Sequence, residues 1–225
     1  MTEPTDGPTP LPPSPWQFPE LGDQVTLPPV DCVVGGADLA PATIVAAYRA
    51  GMFPMGDDGG APLWWSPMER GILWPEQVHV SRSLRRSLRG FTTTVDTAFA
   101  QVIDACADPG RPGAWIDAPI REAYVRLHEL GWAHSVEVWA DGRLVGGLYG
   151  LAIGDLFAGE SMFHHATDAS KAAVVELCRR MRGGLVDVQW RTDHLATLGV
   201  VEVPREEYRE LVVRYRDRRS PGRWT

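Results

Sequence analysis

The chain has 225 residues, a hydrophobic share of 44% and a charged share of 23%, so it can bury a sizeable core in one large domain or two modest ones. Its formal net charge of −7 excludes a protein that coats nucleic acid without specificity, and any such contact must come from a local basic patch. It has no run of roughly 18 apolar residues, no basic-then-apolar signal and no paired cysteine spacing, which predicts a cytoplasmic protein with reduced thiols and excludes a membrane span, export, a disulfide framework and a zinc site.

The first 30 residues form a proline-rich lead-in. They contain nine of the 19 prolines, which cannot sit inside helices or inner strands, so residues 1–30 are expected to be disordered or extended. A small N-terminal domain is expected over 31–70 and the main domain over 71–225. The smaller domain should contain a helix over 41–50, opened by a proline, and a short aromatic strand that begins at residue 63.

A basic helix is predicted between Ser81, which can cap it, and Gly90, which can end it. Its arginines recur at the spacing of one helix face. They are Arg82, Arg85, Arg86 and Arg89. In an acidic chain this stripe is a candidate phosphate contact, and the alternative is a solvated helix face.

The middle of the chain alternates between the apolar period of a strand and that of a helix. We predict a strand over 91–95, a helix capped by Asp96, and a second helix from Pro119 to Gly131. A hairpin is predicted over 135–153, with its turn at Asp141-Gly142.

In the last third of the chain, predicted strands and helices again alternate. A strand is predicted over 155–163, and a helix capped by Thr167 or Asp168 follows it. A strand over 185–190 and a final helix after Pro204 complete the pattern.

Two acids and one amide are the candidate chemical groups. In the strand over 185–190, period 2 places Asp187 and Gln189 on one face. Burying such groups is costly unless they are hydrogen-bonded, so they line a cleft as a pair or they mark a surface edge strand. Glu160 stands among apolar neighbours, either as a surface residue or facing that pair across a pocket.

Two other chemistries are excluded by spacing. Ser161 lies in a Gly-x-Ser-x pattern, but the second glycine of a nucleophile elbow is replaced by Phe163, so a serine hydrolase is not expected. His164, His165 and Asp168 show no two-ligand helical spacing, so no metal site is expected.

An ordered set of short motifs resembles one family, bacterial leucyl/phenylalanyl-tRNA–protein transferase. The motifs are Met52-Phe53-Pro54, Leu63 to Pro67, Val80 to Leu84, Ala114-Trp115-Ile116, Leu127 to Gly131, His134 to Trp139, Gly159 to Phe163, Ala169-Ser170-Lys171 and Asp187-x-Gln189. The resemblance implies an α+β chain with a small N-terminal domain and a GNAT-like acyltransferase domain that has a mixed central sheet. It also implies transfer of Leu or Phe, with Met as a further option, from aminoacyl-tRNA to an N-terminal Lys or Arg of an acceptor protein, in the N-degron pathway.

The resemblance implies roles for individual residues. Asp187 would orient Gln189 at the attacking amine and help take up its proton, and Glu160 would receive the cationic N-terminal residue. Tyr48 and Trp115 would contact the terminal adenosine. The donor side chain would enter a pocket of Leu148, Phe157, Val174, Leu177 and Val186. Arg82, Arg85 and Arg86 would hold the acceptor stem of the tRNA by its phosphates. No cofactor, no membrane and a monomer are expected.

Departures from the family and competing functions complete the expectations. Met55 stands where the family has an aromatic residue, which removes one stacking contact to the adenosine, and Val188 replaces a usual cysteine. A CoA-dependent N-acetyltransferase of related fold is the alternative, but it needs a glycine-rich loop that opens a helix, and the near match over 180–184 closes one. A non-enzymatic RNA-binding module is a third class, which the acidic charge disfavours.

Overall fold

A computed structural model describes residues 7–19, 27–56, 60–111, 115–218, 220 and 222–224. The strands of the described chain are β1 (Cys32–Gly35), β2 (Phe53–Met55), β3 (Leu63–Trp65), β4 (Glu69–Leu73), β5 (Thr92–Val95), β6 (Ala133–Ala140), β7 (Arg143–Ile153), β8 (Leu156–His164), β9 (Leu185–Gln189) and β10 (Val201–Pro204). The helices are α1 (Pro41–Arg49), α2 (Arg82–Ser87), α3 (Phe99–Cys106), α4 (Ala118–Glu129), α5 (Ala169–Arg180), α6 (Asp193–Ala196) and α7 (Arg205–Tyr215).

The strands form two sheets. A small N-terminal sheet has the order β1-β3-β2, and a seven-stranded sheet has the order β10-β4-β9-β8-β7-β6-β5. Every neighbouring pair in the large sheet is antiparallel except β8 and β9, which are parallel. The predicted mixed sheet and small N-terminal domain are therefore confirmed, while GNAT-like topology stays a prediction. No helix in the described ranges combines the length and apolarity needed to cross a bilayer.

Helices cover the large sheet on both faces because its strands alternate apolar residues between them. On β7, Leu148 packs in a core cluster with α5, while its neighbour Tyr149 packs with α1, α3 and α4 on the other face. On β9, Val186 lies on the α5 face and Asp187 on the opposite face, as period 2 requires. Each face of the central strands is therefore buried.

The parallel pair divides after a short contact. Strands β8 and β9 pair through Leu156 with Leu185, Phe157 with Val186, and Ala158 with Asp187. Beyond Ala158 strand β8 continues to His164 without a β9 partner, so a gap opens between the carboxyl ends of the two strands. Glu160 and Gln189 lie on either side of this gap.

Two expectations differ from the structure. The region around Asp96 was predicted to cap a helix, but α3 begins only at Phe99; Asp96 takes a φ of 56° and accepts a hydrogen bond from the Ser135 amide instead. Strand β4 has no counterpart among the predicted elements, and it crosses the expected domain boundary at residue 70 as part of the large sheet.

The proline-rich lead-in is predicted to be disordered or extended, and its described stretch, residues 7–19, follows an extended path on the body. The Thr9 backbone N–H donates to the Leu130 carbonyl, and the Trp132 indole donates to the Thr9 carbonyl. The Trp16 indole donates to Asp38. A cavity of about 460 Å³ lies between this stretch and the small sheet, and no predicted site residue lines it.

Candidate active site

The Asp187 carboxylate is fully occupied by donors. It is completely buried, and Arg70 binds both of its oxygens, with Nε 2.8 Å from Oδ1 and Nη2 2.6 Å from Oδ2. The Tyr208 hydroxyl donates to Oδ2 at 2.8 Å, and the backbone N–H of Gln189 donates to Oδ1 at 2.8 Å. Strand β9 is an inner strand, so the surface-edge alternative for Asp187 and Gln189 is wrong.

Arg70 comes from β4, the strand that sequence patterns did not reveal. Its side chain is 1% exposed, and its guanidinium lies 4.6 Å from the centre of the Phe53 ring and 4.3 Å from that of Tyr208. Aromatic faces and a bidentate carboxylate replace part of the water that such a cation loses on burial, and Nη1 has no hydrogen-bond partner among the described residues. The Asp187 charge holds the pKa of Arg70 above its ordinary value, although burial opposes this.

Gln189 ends β9 in an unusual backbone conformation. Its φ is 65°, in the left-handed region that non-glycine residues seldom adopt, and such strain concentrates at functional sites. Gly71 on β4 makes room for the turn, because a Cβ there would lie 2.8 Å from the Arg191 nitrogen. The conformation directs the Gln189 amide to Glu160, where Nε2 donates to Oε1 at 3.1 Å.

Glu160 occupies a bulge in β8. Tyr149 pairs with Ser161 and Gly150 with Gly159, so Glu160 is the extra residue between them. Its Oε1 accepts a hydrogen bond of 2.5 Å from the hydroxyl of Tyr48, which lies 2.6 Å from the hydroxyl of Tyr124. Its other oxygen, Oε2, is buried and has no hydrogen-bond partner within the described ranges.

Burial changes the acidity of this carboxyl. It raises the pKa of Glu160 from its ordinary value of 4.5 to about 7, against the opposing effect of the Tyr48 hydrogen bond. Burial and the nearby Glu160 also raise the hydroxyl pKa of both Tyr48 and Tyr124 well above 10.0, so they remain donors. A carboxyl group that titrates near neutral pH can both accept and release a proton.

The predicted donor-pocket residues lie together on the α5 face of the sheet. All five are buried in one cluster; they are Leu148, Phe157, Val174, Leu177 and Val186. The acids lie on the opposite face, and the gap between β8 and β9 separates the two groups. The structure thus brings the five side chains together, and their role in binding a donor stays a prediction.

The two residues predicted to contact the terminal adenosine differ in exposure. Tyr48 is 1% exposed beneath Glu160, and its hydroxyl donates a hydrogen bond to that carboxylate. Trp115 is half-buried, and its backbone carbonyl lies close to Gly56, next to Met55. Contact of either residue with the terminal adenosine stays a prediction.

The basic stripe is exposed as predicted. Ser81 caps α2 by accepting from the Leu84 amide, and Arg82, Arg85 and Arg86 project into solvent. Across the described chain none of the three has an ion pair with an acidic residue. The Ser87 hydroxyl donates to Asp168 at 2.8 Å, which fixes α2 beside the start of α5.

Sequence patterns missed three polar partners of the acids. Tyr124 and Tyr208 fall at core spacing in amphipathic helices, where their hydroxyls give no pattern. Arg70 falls between Pro67 and a Gly-Ile-Leu stretch that is too short to predict a strand. In the described residues no group of three or more His, Cys, Asp or Glu side chains could hold a metal ion.

Comparison with known proteins identifies close relatives. The family described as leucyl/phenylalanyl-tRNA protein transferase matches residues 72–213, and the N-terminal domain of the same name matches residues 37–68. A leucyl/phenylalanyl-tRNA–protein transferase from Stutzerimonas stutzeri is 47% identical over 217 residues, which cover 90% of this chain and 96% of that protein. One from Escherichia coli O1:K1 is 46% identical over 192 residues, which cover 83% of this chain and 82% of its own length.

Solved structures show only distant likeness. A conserved protein of unknown function from Staphylococcus epidermidis has a TM-score of 0.41 at 12% identity, covering 60% of this chain and 57% of its own. L-PGS from Bacillus licheniformis has a TM-score of 0.35 at 13% identity, covering 67% and 53%. Scores this low support no conclusion about fold or function.

Replacing Arg70 by Ala should strongly destabilise the fold, because it leaves the Asp187 charge buried without its partner. We expect the free energy of unfolding to fall by about 3–5 kcal/mol in urea denaturation. Arg121→Ala is the matched control, since the Arg121–Asp104 pair is solvent-exposed and its loss should cost less than about 1 kcal/mol. Equal losses in the two variants would contradict the account of Asp187.

The raised pKa of Glu160 should make stability depend on pH. Because the folded state holds the proton more tightly than the unfolded state, the free energy of unfolding should fall as pH rises from 4.5 to about 7 and then level off. The total change from this group is about 3 kcal/mol. Glu160→Gln lacks this contribution, so the difference between the free energies of unfolding of wild type and variant, measured by urea denaturation, should change between pH 4 and 9. A difference that stays constant over this range would refute the raised pKa.

Proposed function

Since the chain belongs to the leucyl/phenylalanyl-tRNA protein transferase family and is an aminoacyltransferase, we propose that it moves Leu or Phe from its tRNA to the α-amino group of an N-terminal Lys or Arg on an acceptor protein. Met is a third donor to be tested. The product would be marked for degradation. The proposed enzyme acts in the cytoplasm as a monomer and uses no cofactor.

One observation carries the proposed mechanism, namely the unpartnered Oε2 of Glu160 in a buried site beside the Gln189 amide. An acceptor α-amine has a pKa of about 8 and must lose a proton before it can attack the aminoacyl ester. The ester is already activated, so positioning and one proton acceptor suffice. Glu160 Oε2 is a free acceptor whose carboxyl pKa, about 7, lies close to that of the amine.

We assign to Asp187 only the first of its two expected tasks, the orientation of Gln189. Proton uptake by Asp187 is disfavoured because its two oxygens already accept four hydrogen bonds, two of them from a permanent cation. Its bond to the Gln189 backbone N–H instead fixes the left-handed turn that aims the Gln189 side chain. Asp187 is therefore a positioning residue in this proposal, and the proton goes to Glu160.

Gln189 would orient the attacking amine. Its Nε2 is bound to Glu160, and because an amide is planar, its carbonyl oxygen points the other way. That oxygen can accept one N–H of the incoming amine, which holds the nitrogen lone pair towards the ester carbonyl.

The reaction balances with these groups. The α-ammonium gives a proton to Glu160, the new bond forms between the amine nitrogen and the aminoacyl carbonyl carbon, and the ester C–O bond breaks. The nitrogen loses its second proton, which passes to the departing ribose oxygen and makes it a hydroxyl. A negative Glu160 before this step also favours an acceptor whose first side chain is cationic, which suits Lys and Arg.

The CoA-dependent alternative lacks its binding loop. The segment from the end of β8 to the start of α5, residues 165–168, contains no glycine, and Asp168 there takes a φ of 68°. A pyrophosphate would need backbone N–H groups presented by a glycine-rich turn at this helix start. The geometry therefore favours aminoacyl transfer.

A transfer assay tests the proposal. Peptides that begin with Arg, Lys or Ala are incubated with Phe-tRNA, Leu-tRNA or Met-tRNA, and products are identified by mass spectrometry. We expect a gain of one Leu or Phe residue on the Arg and Lys peptides and none on the Ala peptide. Acetylation of the same peptides from acetyl-CoA, without aminoacyl transfer, would contradict it.

The basic stripe should bind tRNA phosphates. Replacing Arg85 and Arg86 together by Ala removes two such contacts, so the KM for Phe-tRNA should rise about tenfold at low salt and by less as salt increases. The control is Arg143→Ala with Arg214→Ala, which removes the same charge from exposed positions on the β6–β7 hairpin and α7. A KM that changes equally in both double variants would identify the stripe as a solvated helix face.

A further inference from the structure

We infer that the described part of the C-terminal segment, Ser220 and residues 222–224, forms the back wall of the predicted donor pocket and that Trp224 limits the size of the aminoacyl side chain that fits. The inference rests on the proposed function, because it concerns the predicted donor pocket, the buried cluster that contains Phe157. The segment lies beyond residue 213, where the family match ends, so it concerns a part of this chain outside that match.

A buried carboxylate anchors the segment to the large sheet. Asp155 lies in the turn between β7 and β8 and is 2% exposed. It accepts hydrogen bonds from the Ser220 backbone N–H and hydroxyl, both at 3.0 Å, and from Arg223 Nε at 3.2 Å. Three donors from one short segment on one buried acid hold that segment in a fixed place.

Arg223 makes the same segment part of the end of α5. It is buried, and its guanidinium donates to the carbonyl oxygens of Arg180 at 2.6 Å and Arg182 at 3.0 Å. Arg180 in turn donates to the Arg223 carbonyl at 2.8 Å. These bonds satisfy carbonyls that a helix end leaves without partners.

The anchored segment places Trp224 against the donor pocket. Its indole stacks on the His134 ring, with centres 4.2 Å apart and planes 5° apart, and lies 5.3 Å from the Phe157 ring. The indole packs against the cluster that contains all five predicted donor-pocket residues. It is therefore a second layer directly behind Phe157.

Phe157 has little freedom to move elsewhere. It is fully buried, and its ring passes so close to Gly150 that a Cβ there would lie 2.6 Å from Cε1. With the sheet backbone on that side and the Trp224 indole on the other, the ring position is fixed. Removing the indole would let Phe157 withdraw and deepen the pocket.

The test compares donors in the transfer assay. For Trp224→Ala, the ratio of kcat/KM for Phe-tRNA to that for Leu-tRNA should rise at least about threefold over wild type, the scale expected when an apolar pocket changes by a few carbon atoms. Trp16→Ala is the matched control, because Trp16 lies on the exposed lead-in, and its ratio should stay that of wild type.

Each outcome bears on the inference. A folded Trp224→Ala enzyme with an unchanged donor ratio overturns it. If that variant fails to fold, Trp224→Phe, which keeps a smaller ring, should raise the ratio in the same direction, and no change there overturns it equally. Absence of transfer by the wild type from every donor would instead refute the proposed function, so the two failures are distinguishable.

Discussion

The buried ion pair between Arg70 and Asp187 is the constraint on which the site depends. It joins β4 to β9 at the centre of the large sheet, and the rings of Phe53 and Tyr208 cover the cation. A buried pair of this kind gains stability only when its remaining hydrogen-bonding capacity is also satisfied, and Tyr208 and the Gln189 backbone do this for the acid. The same bonds determine where Gln189 points, so fold stability and site geometry have one source.

Two carboxyl groups within this small region have opposite environments. Asp187 is bound by a cation and is committed to structure, whereas Glu160 lies among tyrosines and apolar groups, where burial raises its pKa to about 7. Two acids in such different environments can serve different roles in one site.

The sequence was informative where residues carry a periodic or motif pattern. Strand β9 alternates Asp187 and Gln189 with apolar residues, and the bulged strand contains Glu160, so all three were candidates before the fold was known. Tyr124 could not be found in this way, because a tyrosine at core spacing looks like packing until its hydroxyl partner is known. Arg70 was missed since its strand is defined by pairing with β9 and β10, which are distant in the sequence, and not by any local period.

The most direct test of the account is the pH dependence of kcat/KM for an Arg-initiated peptide, measured with saturating Phe-tRNA in the wild type and in Glu160→Gln. The account predicts that the wild-type rate falls below a pH near 7 and that Glu160→Gln, still folded and still able to bind tRNA, loses at least about a hundredfold in rate, the usual contribution of a positioned base. A Glu160→Gln enzyme with the wild-type rate and an unaltered profile would show that this carboxyl does not accept the proton.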